Sequence, residues 1–118
     1  MPGIPQNGGR LLQHGAVALA VADGVTLVRG PNPRRLRIQL FNATAVGTGS
    51  TVYVGKATDV DGNDLAATNG WPLNEEAVAA GEGWKLPANV LELHTKDEIY
   101  GLAVDADATV KFIEELES

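Results

Sequence analysis

Apolar and polar positions alternate with a period of two along much of this chain, and short turn-forming clusters interrupt the alternation. Strands show that period because successive side chains leave opposite faces. Ala16–Ala22 sets Val17, Leu19 and Val21 against alanines, Asp23-Gly24 follows, and Val25–Val28 resumes the apolar run. An Asp-Gly pair between alternating segments predicts a β-hairpin. Gly30-Pro31-Asn32-Pro33 ends any regular element. Arg35–Phe41 then alternates cleanly, with Leu36, Ile38 and Leu40 on one face and Arg35, Arg37 and Gln39 on the other. That is the pattern of a half-buried antiparallel strand with a polar outer side.

Later segments are shorter. Asn42–Ser50 is a loop of small residues, and Thr51–Gly55 has the β-branched and aromatic content of a strand. Lys56 to Asn69 is a loop rich in Asp, Asn and Gly, and Gly70-Trp71-Pro72-Leu73 reads as turn-like. Asn74–Ala80 can form one helical turn, limited by Gly81 and Gly83, and Trp84–Leu86 a brief strand stopped by Pro87. Val90–Thr95, Glu98–Val104 and Thr109–Leu116 are predicted strands, the last fraying into an acidic end. Met1–Gly15 has neither period and reads as a flexible arm, residues 1–15, ahead of a single domain over 16–118. Seven to nine short strands with frequent turns and no long helix predict an all-β fold, an antiparallel β-sandwich or small barrel.

Composition narrows the chemistry. The 118 residues are 44% hydrophobic and 5% aromatic, so Val, Leu, Ile and Ala must fill the core. No cysteine is present, which removes disulfides, thiolate metal sites and thiol catalysis, and two histidines cannot make a three-histidine metal site. No apolar run approaches the ~18–20 residues of a membrane span, and no signal-peptide pattern opens the chain; the expectation is a soluble protein. Residues 1–58 hold six basic groups against Asp23 alone, whereas residues 59–118 hold three lysines against fourteen acids. The net charge of −6 opposes polyanion binding, so no nucleic-acid partner is expected. The polarity along the chain suits contact with another protein or with a copy of itself.

Local motifs that could carry a reaction fall short. Asp59-Val-Asp61-Gly-Asn63-Asp64 starts like a calcium loop, but Asp64 stands where glycine should turn the chain and Gly70 where a glutamate should close the site. A polar surface turn explains it better, and no metal or other cofactor is expected. Glu75-Glu76 and Glu114-Glu115 are sequence neighbours, which on a strand point apart and do not flank one bond. Glu92 and His94 are spaced to orient an imidazole, without a nucleophile: the serines are Ser50 and Ser118. Gly47-Thr-Gly49 lacks the lysine and helix of a phosphate loop. Trp71 and Trp84 suit either a glycan-stacking platform or cover for the end of the core. No catalytic residue is expected, and the chain reads as a binding or scaffolding domain.

The order of segments resembles small virion proteins of tailed bacteriophages. The likeness rests on Thr51-Val-Tyr-Val-Gly55, Asn69-Gly-Trp-Pro-Leu73, the Gly81-Glu82 turn, Leu91-Glu-Leu-His94, Ile99-Tyr100-Gly-Leu-Ala103 and Ala108-Thr-Val-Lys-Phe112, and spans about residues 34–116. It implies a capsid decoration, or cement, protein that binds the outer surface of the head and clamps neighbouring capsomers. The expected partner is the major capsid protein, the expected assembly a homotrimer, and the expected location the virion surface after synthesis in the host cytoplasm. Contact candidates are Ile4, Leu11 and Leu12 of the arm and Arg34, Arg35 and Arg37 of the basic strand. The alternative is a tail, baseplate or head-fibre accessory protein whose Trp71 and Trp84 bind carbohydrate or a receptor.

Overall fold

In a computed structural model of the chain, residues 10–45, 47–74 and 90–118 are described. They form eight strands: β1 Arg10–Leu19, β2 Thr26–Arg29, β3 Arg35–Asn42, β4 Thr51–Gly55, β5 Trp71–Asn74, β6 Val90–Leu93, β7 Ile99–Val104 and β8 Ala108–Glu117. Two four-stranded sheets result, ordered β1-β8-β3-β6 and β2-β7-β4-β5, and every pairing is antiparallel. The all-β sandwich expected from the period-two pattern is the observed architecture. The core between the sheets is aliphatic, as the scarcity of aromatics requires: Leu19, Ile38, Leu40, Val52, Leu73 and Val110 are almost wholly buried, and Phe112 is the one aromatic among its buried residues.

Four local expectations change. Arg10–Gly15, assigned to the arm, are the first part of β1, which pairs with β8 from Arg10↔Glu117 to Leu19↔Ala108 without a register break. The Asp23-Gly24 hairpin does not form. Val21–Asp23 is a 3-10 turn that carries the chain from one sheet to the other, so β1 and β2 never pair. Asp107 fixes this crossing by accepting the Val21 amide at 2.9 Å, which ties it to the β7–β8 crossing at the same end. Gly70–Leu73 is not simply a turn either, because Trp71–Asn74 pairs with β4. Pro72 is tolerated there because β5 is an edge strand of its sheet. The helical turn and brief strand expected between Asn74 and Leu86 lie outside the described residues, apart from Asn74 itself, which ends β5.

The fourth change concerns Arg35. The register of β3 against β8 slips between Arg35 and Arg37, a bulge that spends one residue, Leu36, without advancing the pairing. Side-chain parity reverses across the bulge. Arg35 therefore joins Ile38 and Leu40 on the inner face, buried at 1% exposure, while Arg37 keeps the outer face.

Candidate interaction surfaces

Arg35 is consumed by the fold. Its Nε donates to Glu114 Oε2 at 2.9 Å, its Nη1 to the Asp97 carbonyl at 2.9 Å, and its Nη2 to the Gly30 carbonyl at 2.6 Å. Glu114 lies on the inner face of β8 beyond Phe112, with a fully buried side chain. Its other oxygen accepts Arg29 Nε at 2.8 Å and also the Arg29 Nη2. The Arg29 guanidinium lies 4.9 Å from the centre of the Phe112 ring and also donates to Gln13 at 3.0 Å. Burial pushes the Glu114 carboxyl upward, but hydrogen bonds from Arg29 and then Arg35, with their charges, outweigh it and hold the group below the ordinary range. The cluster joins β1, β2, β3, β8 and the connections on either side of it. It leaves Arg35 unavailable to any partner, correcting its place among the contact candidates.

The other expected contact residues on described segments gather at one corner. Leu12 faces Glu115, and Glu115 faces Arg37, in one row across β1, β8 and β3. Arg37 Nε meets Glu115 at 3.0 Å and remains half-exposed. Arg34 donates from Nε to the Glu117 carbonyl at 2.8 Å, beside the start of β1. Leu12 is 69% exposed on the same outer face as the Arg37 guanidinium, while Leu11, 45% exposed, stands opposite buried Leu116 on the inner side of the same edge strand. Ile4 lies outside the described residues. Next along the sheet, Glu92 accepts Gln39 at 2.8 Å and meets His94 at 2.8 Å. Those two hydrogen bonds, Gln39 first, and the Arg37 charge lower the Glu92 carboxyl.

The Asp59 loop is closed by its own bonds. One Asp59 oxygen accepts the amides of Asp61 and Asn63 at 2.9 Å each, and the other accepts the Asn69 amide at 3.0 Å. The Asn63 and Asn69 bonds lower this carboxyl, and both of its oxygens accept hydrogen bonds from within the loop. Among the described residues no three His, Asp or Glu groups converge as metal ligands would. Trp71 projects from β5 at 63% exposure beside an apolar cleft lined by Val54, Leu91 and Leu93. Trp84 lies outside the described residues.

One surface escaped the sequence reading. The outer face of the second sheet carries Leu27, Tyr100, Leu102, Val104, Tyr53 and Pro72, and no charged side chain stands among them. Within strands, every Asp, Glu, Lys and Arg lies in the first sheet except Arg29, which turns to Glu114. The signal was present in Thr51-Val-Tyr-Val-Gly55 and Ile99-Tyr-Gly-Leu-Ala-Val104, which have no polar partner for their buried residues beyond Thr51 and the tyrosines. No protein-family model matches this sequence, and comparison with curated proteins and with solved structures returns no match.

Proposed function

We propose that the chain is a virion component of a tailed bacteriophage that decorates the capsid surface and strengthens contacts between capsomers. The observation that carries this reading is the corner at the start of β1, where the exposed leucines of that strand, Leu11 and Leu12, and the guanidinium groups of Arg34 and Arg37, just before and on β3, lie on either side of β8. The major capsid protein is the proposed partner. A protein that binds only the assembled shell stabilises it by mass action. Several weak contacts per assembled decoration unit add avidity without a strong single contact. The rigid sandwich supplies a platform that can transmit load between the surfaces it touches.

The test is binding of the purified protein to undecorated heads, followed by co-sedimentation. Leu12→Asp combined with Arg34→Glu is expected to weaken binding at least tenfold, about 1.4 kcal/mol, while the circular dichroism spectrum stays that of the parent. Unchanged binding by a folded double variant would remove the corner from the contact. A second reading, a tail or head-fibre protein that binds carbohydrate, is favoured by the exposure of Trp71 beside its apolar cleft. That reading requires glycan binding that Trp71→Ala abolishes.

A further inference from the structure

We infer that the free edge of β1 is a strand-addition site, and that its occupant is an extended segment of another protein with a lysine or arginine near its N-terminal end. The sandwich has four edge strands, β1 and β6 in one sheet and β2 and β5 in the other. Native sheets blunt their edges with short strands, charges, prolines or bulges. Three edges here follow that rule: β2, β5 and β6 are four residues each, β2 has a register shift, β5 holds Pro72 and β6 holds Glu92. β1 does not. It runs for ten residues, pairs with β8 without a break, and from Leu11 onward holds no proline and no Asp, Glu, Lys or Arg.

The backbone along this edge is open. On β8 the Thr109 carbonyl accepts the Ala43 amide and the Glu117 amide donates to the Arg34 carbonyl, so the odd-numbered residues of β8 turn their backbone groups towards β3. The alternation of an antiparallel ladder turns the even-numbered ones towards β1, where they meet Leu11, Gln13, Gly15, Val17 and Leu19. Leu12, His14, Ala16 and Ala18 are left with their backbone groups facing away from β8, and all four are exposed. Such a row of amides and carbonyls is matched by another extended backbone. Charge selects which one. A strand added antiparallel to β1 brings its N-terminal end beside Ala18. A hollow there is lined by Ala18, Ala20, Thr44, Asp107 and Thr109. Asp107 is exposed, as are Asp23 and Asp105 in the two crossings that meet at that end. Opposite residues on paired strands share a face, so a basic side chain opposite Ala18 stands over the hollow, within reach of Asp107. The net charge of −6 favours a basic segment over a second copy of this acidic chain. The site shares Leu12 with the corner proposed to meet the shell, but it does not rest on that reading, and its test uses the purified chain without heads.

The probe is the peptide Lys-Val-Thr-Val-Thr-Val-Thr-Val, acetylated at its N-terminal end and carrying fluorescein at the other, with binding to the full chain read by fluorescence anisotropy. Binding should saturate, and glutamate in place of the leading lysine should weaken it at least tenfold. Asp107→Asn, which keeps an acceptor for the Val21 amide, should narrow that difference. Ala16→Pro removes an amide from the free edge and none from the β8 ladder, so it should abolish binding while the circular dichroism stays native. Should Ala16→Pro fail to fold, N-methylation of the peptide's threonines, whose amides face β1 in this register, should abolish binding to the unaltered chain. No binding, equal binding of the lysine and glutamate peptides, a difference untouched by Asp107→Asn, or binding indifferent to threonine methylation or to a folded Ala16→Pro would each overturn the inference. So would binding that appears only once residues 1–9 are removed, which would make the chain's own beginning the occupant. A dimer of the free chain that Ala16→Pro dissociates would overturn it too, in favour of a second copy.

Discussion

Glu114 shows how far one residue can reorganise the meaning of its neighbours. A buried carboxylate between two guanidinium groups is costly to desolvate, so the trio is weak evidence of net stability. Removing one member is another matter, because it strands the charges that remain. Glu114→Gln is expected to cost about 3–5 kcal/mol, read as a lower urea midpoint at neutral pH. The pH dependence follows from the lowered carboxyl. A group held below its unfolded-state value contributes its full stability above that unfolded value, and loses it as pH falls through the folded one. The stability gap between parent and Glu114→Gln should therefore be widest near neutrality and close as pH drops below the ordinary carboxylate range. A gap that stays constant into acid would show that the charge on Glu114 plays no part.

At the scale of elements, close packing of the two sheets makes its own demand. Gly101 on β7 is buried, and a Cβ there would lie 3.0 Å from Leu19 and from Val28 side-chain atoms and 3.4 Å from Val52. These neighbours belong to three different strands and cannot all retreat. Gly101→Ala is expected to cost about 1–3 kcal/mol through overpacking, seen as a lower melting temperature.

Strand positions were readable in advance at β4, β7 and β8, because each keeps its alternation over its length, and at β3, which keeps it from Arg37 onward. The partners were not. Among successive strands only β4 and β5 are neighbours in a sheet, and every other connection joins strands of different sheets. Alternation says which side is buried, and nothing about which strand lies alongside. The Asp23-Gly24 signal failed for that reason: the crossing held by Asp107 won over a local hairpin. Arg35 was misplaced because the bulge at Leu36 leaves no trace in composition. Of the candidate site, Leu11, Leu12, Arg34 and Arg37 were legible as residue types, and their convergence was not. It depends on β1 and β3 flanking β8.

Among the described residues the two sheets present unlike outer faces, one lined with charge and ending in the leucine–arginine corner, the other with charge only at its end, where Lys56 pairs with Asp97 and Glu98. Under the proposed function, the charged face with its corner is the one that meets the shell. Decoration of the head is the central claim. Mass spectrometry of heads and tails separated from purified virions of the phage proposed to encode it tests it most directly. The account predicts this polypeptide in the head fraction, in many copies per particle and in fixed ratio to the major capsid protein. Its recovery with tails alone, or its absence from the particles, would contradict the account.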